Sequence, residues 1–134
     1  MAPTLKVEPV PTVKAKKGGE TTVTLKATLP AGYHANSNKP SEAYLIPLTL
    51  KWTAGPLQLD GITYPKPEME KYSFSEKPLS VVTGEFAITT KFKVPADAPN
   101  GPAAQTGTLR YQACDNKACY PPKSVPVNIT VSVE

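Results

Sequence analysis

The sequence predicts an all-β sandwich, and three features predict it. Several stretches alternate apolar and polar residues with a period of two, the pattern of half-buried strands. No stretch sustains apolar residues at i, i+3 and i+4. Prolines number 16 in 134 residues, and each removes a backbone donor and breaks a helix interior. The longer proline-free windows, 12–29, 79–94 and 103–120, are where regular structure has room. Seven or more short strands separated by Pro/Gly turns fit one sandwich domain over 1–134.

Leu5 to Val13 alternates weakly and carries Pro9 and Pro11, which suits an edge strand. Gly18-Gly19 signals a turn. From Glu20 to Leu29, Val23, Leu25, Ala27 and Leu29 point one way and Thr22, Thr24, Lys26 and Thr28 the other. Pro30-Ala31-Gly32 ends that strand, and Tyr33-His34-Ala35-Asn36-Ser37 leads into a polar loop through Pro40. Leu45 to Trp52 is the next candidate, with Leu48, Leu50 and the lone Trp52 on one face; Trp52 reads as a core anchor. Leu57 to Tyr64 forms a short strand around Gly61. Residues 65–78 read as irregular, with Pro65, Pro67 and Pro78 bracketing charges mixed with Met69, Tyr72 and Phe74. Leu79 to Val82 is short and apolar, and Gly84 marks a turn or bulge. Glu85 to Val94 alternates with Phe86, Ile88 and Phe92 inward, and Pro95 to Pro102 is a loop. Thr106 to Ala113 sets Leu109 and Tyr111 on one face. Val125, Val127, Ile129, Val131 and Val133 alternate to the end.

Composition narrows the function classes. A chain of this length buries roughly two-thirds of its unfolded surface, enough for an ordinary core without staples. Fifteen Lys+Arg against eleven Asp+Glu give +4, with the lysines scattered and no basic stripe interleaved with aromatics, so nucleic acid is not an expected partner. No run reaches the ~18 apolar residues of a membrane helix. Met1-Ala2-Pro3-Thr4 has no apolar stretch of the export-signal kind and reads as the start of a mature domain.

Both cysteines lie in Cys114-Asp115-Asn116-Lys117-Ala118-Cys119, at a connection between strands, close enough to close a disulfide. The bond is either a staple or a reagent. A ring of six residues gains only about 2 kcal/mol from loop closure, and a core of this size does not need it. A short ring on a loop is expected to keep both sulfurs near the surface, where a partner thiolate attacks in line. Lys117 and Lys123 favour a thiolate there, Asp115 opposes it, and Tyr111 and Tyr120 are placed to pack beside the sulfurs. Pro121-Pro122 fix the backbone after Cys119. Two thiolates and the lone His34 fall short of a zinc site. His34 reads as a structural or surface residue. Met69, Tyr72 and Phe74 read as a displaced core strip or as a mobile flap over the disulfide. The rival to a reagent is a secreted binding or adhesion module whose disulfide is inert.

The stretch Tyr111-Gln112-Ala113-Cys114, a short spacer and Cys119-Tyr120-Pro121-Pro122 resembles the YQxC…CYPP signature of the N-terminal periplasmic domain of the thiol:disulfide interchange protein DsbD. Leu29-Pro30-Ala31-Gly32-Tyr33-His34 and Leu45-Ile46-Pro47 are similar to the early strands of that family. The resemblance implies an immunoglobulin-like sandwich carrying Cys114 and Cys119 as a redox-active pair at the end of a hairpin. Gln112, Lys117, Tyr120 and Pro121 would flank the pair. It implies a periplasmic, exported domain of protein-disulfide reductase type that relays electrons between thioredoxin-like partners, among them a membrane electron-transfer domain of the same or another chain. No cofactor is implied, because the cysteines carry the electrons. It further implies a cap over the pair in residues 70–77, with Tyr72 and Phe74 shielding it, and makes Cys119 the sulfur that joins a partner and Cys114 the resolving one.

Overall fold

The computed structural model describes residues 3–134, so the first two residues of the expected mature start lie outside the described residues. In chain order the strands are β1 (Lys6–Val7), β2 (Val13–Ala15), β3 (Glu20–Thr28), β4 (His34–Asn36), β5 (Thr49–Trp52), β6 (Gln58–Thr63), β7 (Glu68–Glu70), β8 (Leu79–Thr83), β9 (Glu85–Lys93), β10 (Gly101–Tyr111), β11 (Ala113–Cys114) and β12 (Lys123–Val133). They form three four-stranded sheets, ordered β1-β3-β9-β6, β2-β12-β10-β5 and β11-β4-β8-β7. The first two are the faces of an immunoglobulin-like sandwich. The third is a smaller sheet that carries the cysteines. All pairings are antiparallel except β2 with β12.

The long strands follow the alternation of their sequences. Val23, Leu25 and Ala27 on β3 and Phe86, Ile88 and Phe92 on β9 are buried, and so are Leu109 and Tyr111 on β10 and Val127, Ile129, Val131 and Val133 on β12. Both sheets feed one apolar core, and each large side chain taken out of water there contributes about 1.5–3 kcal/mol. Trp52 anchors it as expected: its ring meets Phe92 edge-on at 5.3 Å and its Nε1–H donates to Thr90 Oγ1 at 3.0 Å. Gly107 lies opposite Trp52, and a Cβ there would come within 2.8 Å of the indole.

The sequence reading departs from the fold at four places. Leu5 to Val13 is not one edge strand; Pro9 and Pro11 break the ladder, and β1 and β2 join different sheets. Only Thr49–Trp52 of the Leu45 to Trp52 stretch pairs as a strand, because Leu45 turns into a second, smaller core. The 65–78 segment is not wholly irregular, since Glu68–Glu70 pairs with β8. Strand β10 begins at Gly101, five residues earlier than the alternation suggested, so Pro102 lies within a strand. Pro126 is accommodated likewise: β2 covers only Val131–Val133 of β12, leaving the edge at Pro126 without a partner that needs its N–H.

Candidate functional site

The third sheet has two unlike faces, and the alternation of strand side chains assigns them. Ala35, Val82 and Ala113 pair across it and belong to the sandwich core. Their neighbours His34, Asn36, Val81 and Cys114 point to the other side. There Leu45, Leu79 and Val81 form the small core, against which Tyr72, Phe74 and Cys119 pack. The cysteine pair therefore sits on the outer face of a thin sheet whose inner face is clamped to the sandwich.

Cys114 and Cys119 are bonded, with Cα atoms 3.9 Å apart. The ring they close is a tight hairpin: the Asp115 N–H donates to Ala118 O and the Tyr120 N–H to Ala113 O, both at 2.9 Å. Asp115 organises the turn. Its Oδ1 accepts the N–H groups of Lys117 and Ala118 at 2.8 Å each, and its Oδ2 accepts the Tyr120 hydroxyl at 2.9 Å. Those backbone donors hold the Asp115 carboxyl below its usual range, and the same carboxylate pushes the Tyr120 phenol up. Asp115 is thus the turn's acceptor rather than a charge acting only against a thiolate.

Gln112 ties the ring to the rest of the sheet. Its Oε1 accepts from Asn36 Nδ2 at 2.9 Å and from the Ile46 N–H at 3.0 Å, and its Nε2 donates to Tyr120 O at 3.3 Å. One amide joins β4, the 37–48 loop and the residue after Cys119.

The two sulfurs differ in access. The expectation that both lie near the surface does not hold: Cys114 is 0% exposed, on β11 where it pairs with His34 of β4. Cys119 is half-buried. Tyr72 and Phe74 lie parallel to each other at 5.7 Å, and Tyr72 stacks on His34 at 3.8 Å. The Ser73 hydroxyl, between them, donates to the Asn116 carbonyl inside the ring. Burial and the Glu70 carboxylate push the Tyr72 phenol up to about 12, so it remains a neutral ring. Met69 does not share this strip; it lies on the opposite side of β7 and is 62% exposed.

Of the other residues singled out, Lys117 and Pro121 are exposed on and just beyond the ring. Tyr120 is half-buried, its ring 6.2 Å from that of Tyr33. Tyr111 does not flank the sulfurs: its side chain lies in the sandwich core, where its hydroxyl accepts the Leu5 N–H at 2.9 Å and donates to Pro3 O at 3.0 Å. His34 takes the structural rather than the surface position that the sequence allowed it. It is buried, stands directly across from Cys114 in the β4–β11 pair, and burial holds its imidazole below the usual range. The one signal for it in the chain was its place in the Gly32-Tyr33-His34 run.

A family model of the N-terminal domain of the thiol:disulfide interchange protein DsbD matches residues 2–130. No curated protein sequence matches the chain. Among solved structures, the reduced N-terminal domain of DsbD from Neisseria meningitidis is 22% identical with a TM-score of 0.54, over 82% of this chain and 77% of that one. The N-terminal periplasmic domain of ScsB from Proteus mirabilis is 16% identical with a TM-score of 0.59, over 84% of this chain and 42% of that one. A type I cohesin from Pseudobacteroides cellulosolvens reaches 0.51 at 16% identity. At these identities the likenesses speak for the fold alone. The family match over nearly the whole length, together with a bonded cysteine pair at its signature, supports thiol–disulfide exchange: the chain belongs to the DsbD N-terminal domain family.

Proposed function

We propose that this chain is one periplasmic domain that relays electron pairs between thioredoxin-like proteins through Cys114 and Cys119. A membrane electron-transfer domain, of the same or another chain, is one such partner. The observation that carries the reading is the unequal access of the two sulfurs. Cys119 is half-buried while Cys114 has no exposure. An incoming thiolate therefore meets Cys119 first, and Cys114 is the leaving sulfur. In the opposite direction the Cys119 thiolate opens a partner disulfide, and Cys114 resolves the mixed disulfide. The sandwich holds the pair still, and the 70–77 segment, through Tyr72 and Phe74, shields it until a partner displaces the cap. The periplasmic assignment rests on the family and on the ScsB relative, a periplasmic domain.

A Cys114→Ala variant should trap a stable mixed disulfide with a thioredoxin through Cys119, and Cys119→Ala should not. Redox titration should put the wild-type couple within the range of thioredoxin-like proteins. A potential below about −300 mV, with no trapped complex, would identify the bond as an inert staple in a binding module.

A further inference from the structure

Resting on the exchange reading above, we infer that His34 is the proton acceptor and donor for Cys114, so that the buried sulfur ionises inside the fold without water. Three observations carry this. First, His34 and Cys114 are directly opposed across the β4–β11 pair; opposed side chains share a face, with Cβ atoms about 4.5–5.5 Å apart. Second, His34 Nε2 is buried with no hydrogen-bond partner among the described residues, and such an orphan calls for an explanation. In the oxidised state Cys114 has no proton to give. On reduction it gains an S–H on the face it shares with that unpartnered nitrogen, so a proton to pair with exists only in the other redox state. Third, Cys114 has no exposure, and an unassisted thiol in apolar surroundings resists ionisation.

The step balances as follows. With Cys119 joined to a partner sulfur, the Cys114 S–H proton passes to His34 Nε2. The Cys114 sulfur attacks Cys119 Sγ, the 114–119 bond forms, and the Cys119–partner bond breaks. The partner leaves as a thiolate with the electron pair; this domain is oxidised by two electrons and the partner reduced. The imidazolium releases its proton to the cleft of about 300 Å³ that His34 lines with Tyr33, Glu70 and Tyr72. In reverse, imidazolium protonates Cys114 as it leaves. The groups facing His34 are the Glu70 and Asp115 carboxylates, whose charge favours imidazolium; the Tyr72 ring stacked on it; and Thr83, its neutral partner on β8. Glu68 accepts the Thr83 hydroxyl beyond it, at 3.4 Å. Desolvation outweighs the carboxylates and keeps the resting imidazole neutral, the form that accepts a proton.

Dithiobis-nitrobenzoate isolates the step. It first loads Cys119, and a second thionitrobenzoate is released only when Cys114 attacks. His34→Phe keeps a flat ring under Tyr72. It should slow the second release about 100-fold near neutral pH, leave the first unchanged, and approach the wild-type rate as pH rises and the thiol ionises by itself. A second release identical to wild type in rate and pH profile overturns the inference while leaving the relay reading intact. Failure of wild type to exchange with any thioredoxin would sink the relay reading instead. Should His34→Phe not fold, nitrogen NMR of wild-type His34 decides: the Nε2 resonance should move on reduction, to a position that Cys114→Ala does not reproduce, and a resonance that is the same in oxidised wild type, reduced wild type and Cys114→Ala refutes the pairing.

Discussion

The sandwich and the third sheet are built by opposite rules. The sandwich uses strands of up to eleven residues, such as β10 and β12, with strict alternation and a continuous apolar core. The third sheet uses strands of two to five residues, a core of three buried apolar side chains, and buried polar groups at His34, Asn36, Ser37 and Ser80. The Ser37 and Ser80 hydroxyls satisfy each other at 2.7 Å, and Asn36 reaches Gln112 and Ile46. Apolar burial is stable but indifferent to detail. Polar pairing is geometrically demanding and contributes less. The contrast teaches that stability and chemistry are housed in different layers, so substitutions should separate them.

The largest expected effect breaks the sandwich. Phe92 is fully buried on a central strand against Trp52, and Phe92→Ala should cost about 3–5 kcal/mol in chemical denaturation, lowering stability whether or not the cysteines are bonded. The next effect tests whether the ring is a staple. Cys114→Ala with Cys119→Ala should cost no more than about 2 kcal/mol, the loop-closure gain of a six-residue ring, and leave one cooperative transition. A larger loss would make the third sheet part of the stability layer after all.

The Tyr72–Phe74 stack comes third. Tyr72 and Phe74 are half-buried, so Phe74→Ala should cost about 1 kcal/mol, roughly half the value of a full aromatic burial. It should nonetheless speed reduction of the bond by a small dithiol, measured by thiol appearance, about tenfold. An unchanged rate would show that Phe74 does not limit access.

The smallest effects are in pH. Asp115 has a folded value below its ordinary 3.8, so its contribution is complete above that value and fades as pH falls through the lower folded one. His34 is depressed below 6.5. Between its folded value and 6.5 the unfolded chain binds the extra proton, so stability declines as pH drops through that window. Thermal melts across the weakly acidic range should show this slope in wild type and lose it in His34→Phe.

The same division decided what the sequence disclosed. Strands β3, β9 and the later parts of β10 and β12 announce themselves through alternation, because one face is core and the other water. The cysteine ring announces itself through its signature. Strand β4, by contrast, is His34-Ala35-Asn36 and buried throughout, while β7 is Glu68-Met69-Glu70 and exposed throughout. Neither has a periodic contrast to read, and each is held by its neighbours in the sheet, β4 by β8 and β11 and β7 by β8. Burial of Cys114 was hidden for the same reason: the strand paired beside it, at His34, lies eighty positions away. Tyr111 misled because a position three residues from a cysteine lies on the other side of a strand break, facing the sandwich.

One consequence follows from the inner face of the third sheet, where Ala35 and Ala113 meet. Two methyl groups are a shallow seat, and they fix how closely the redox layer rests on its foundation. Bulkier side chains there would lift the whole layer off the sandwich and carry Cys114 and His34, which alternate with these alanines, away with it.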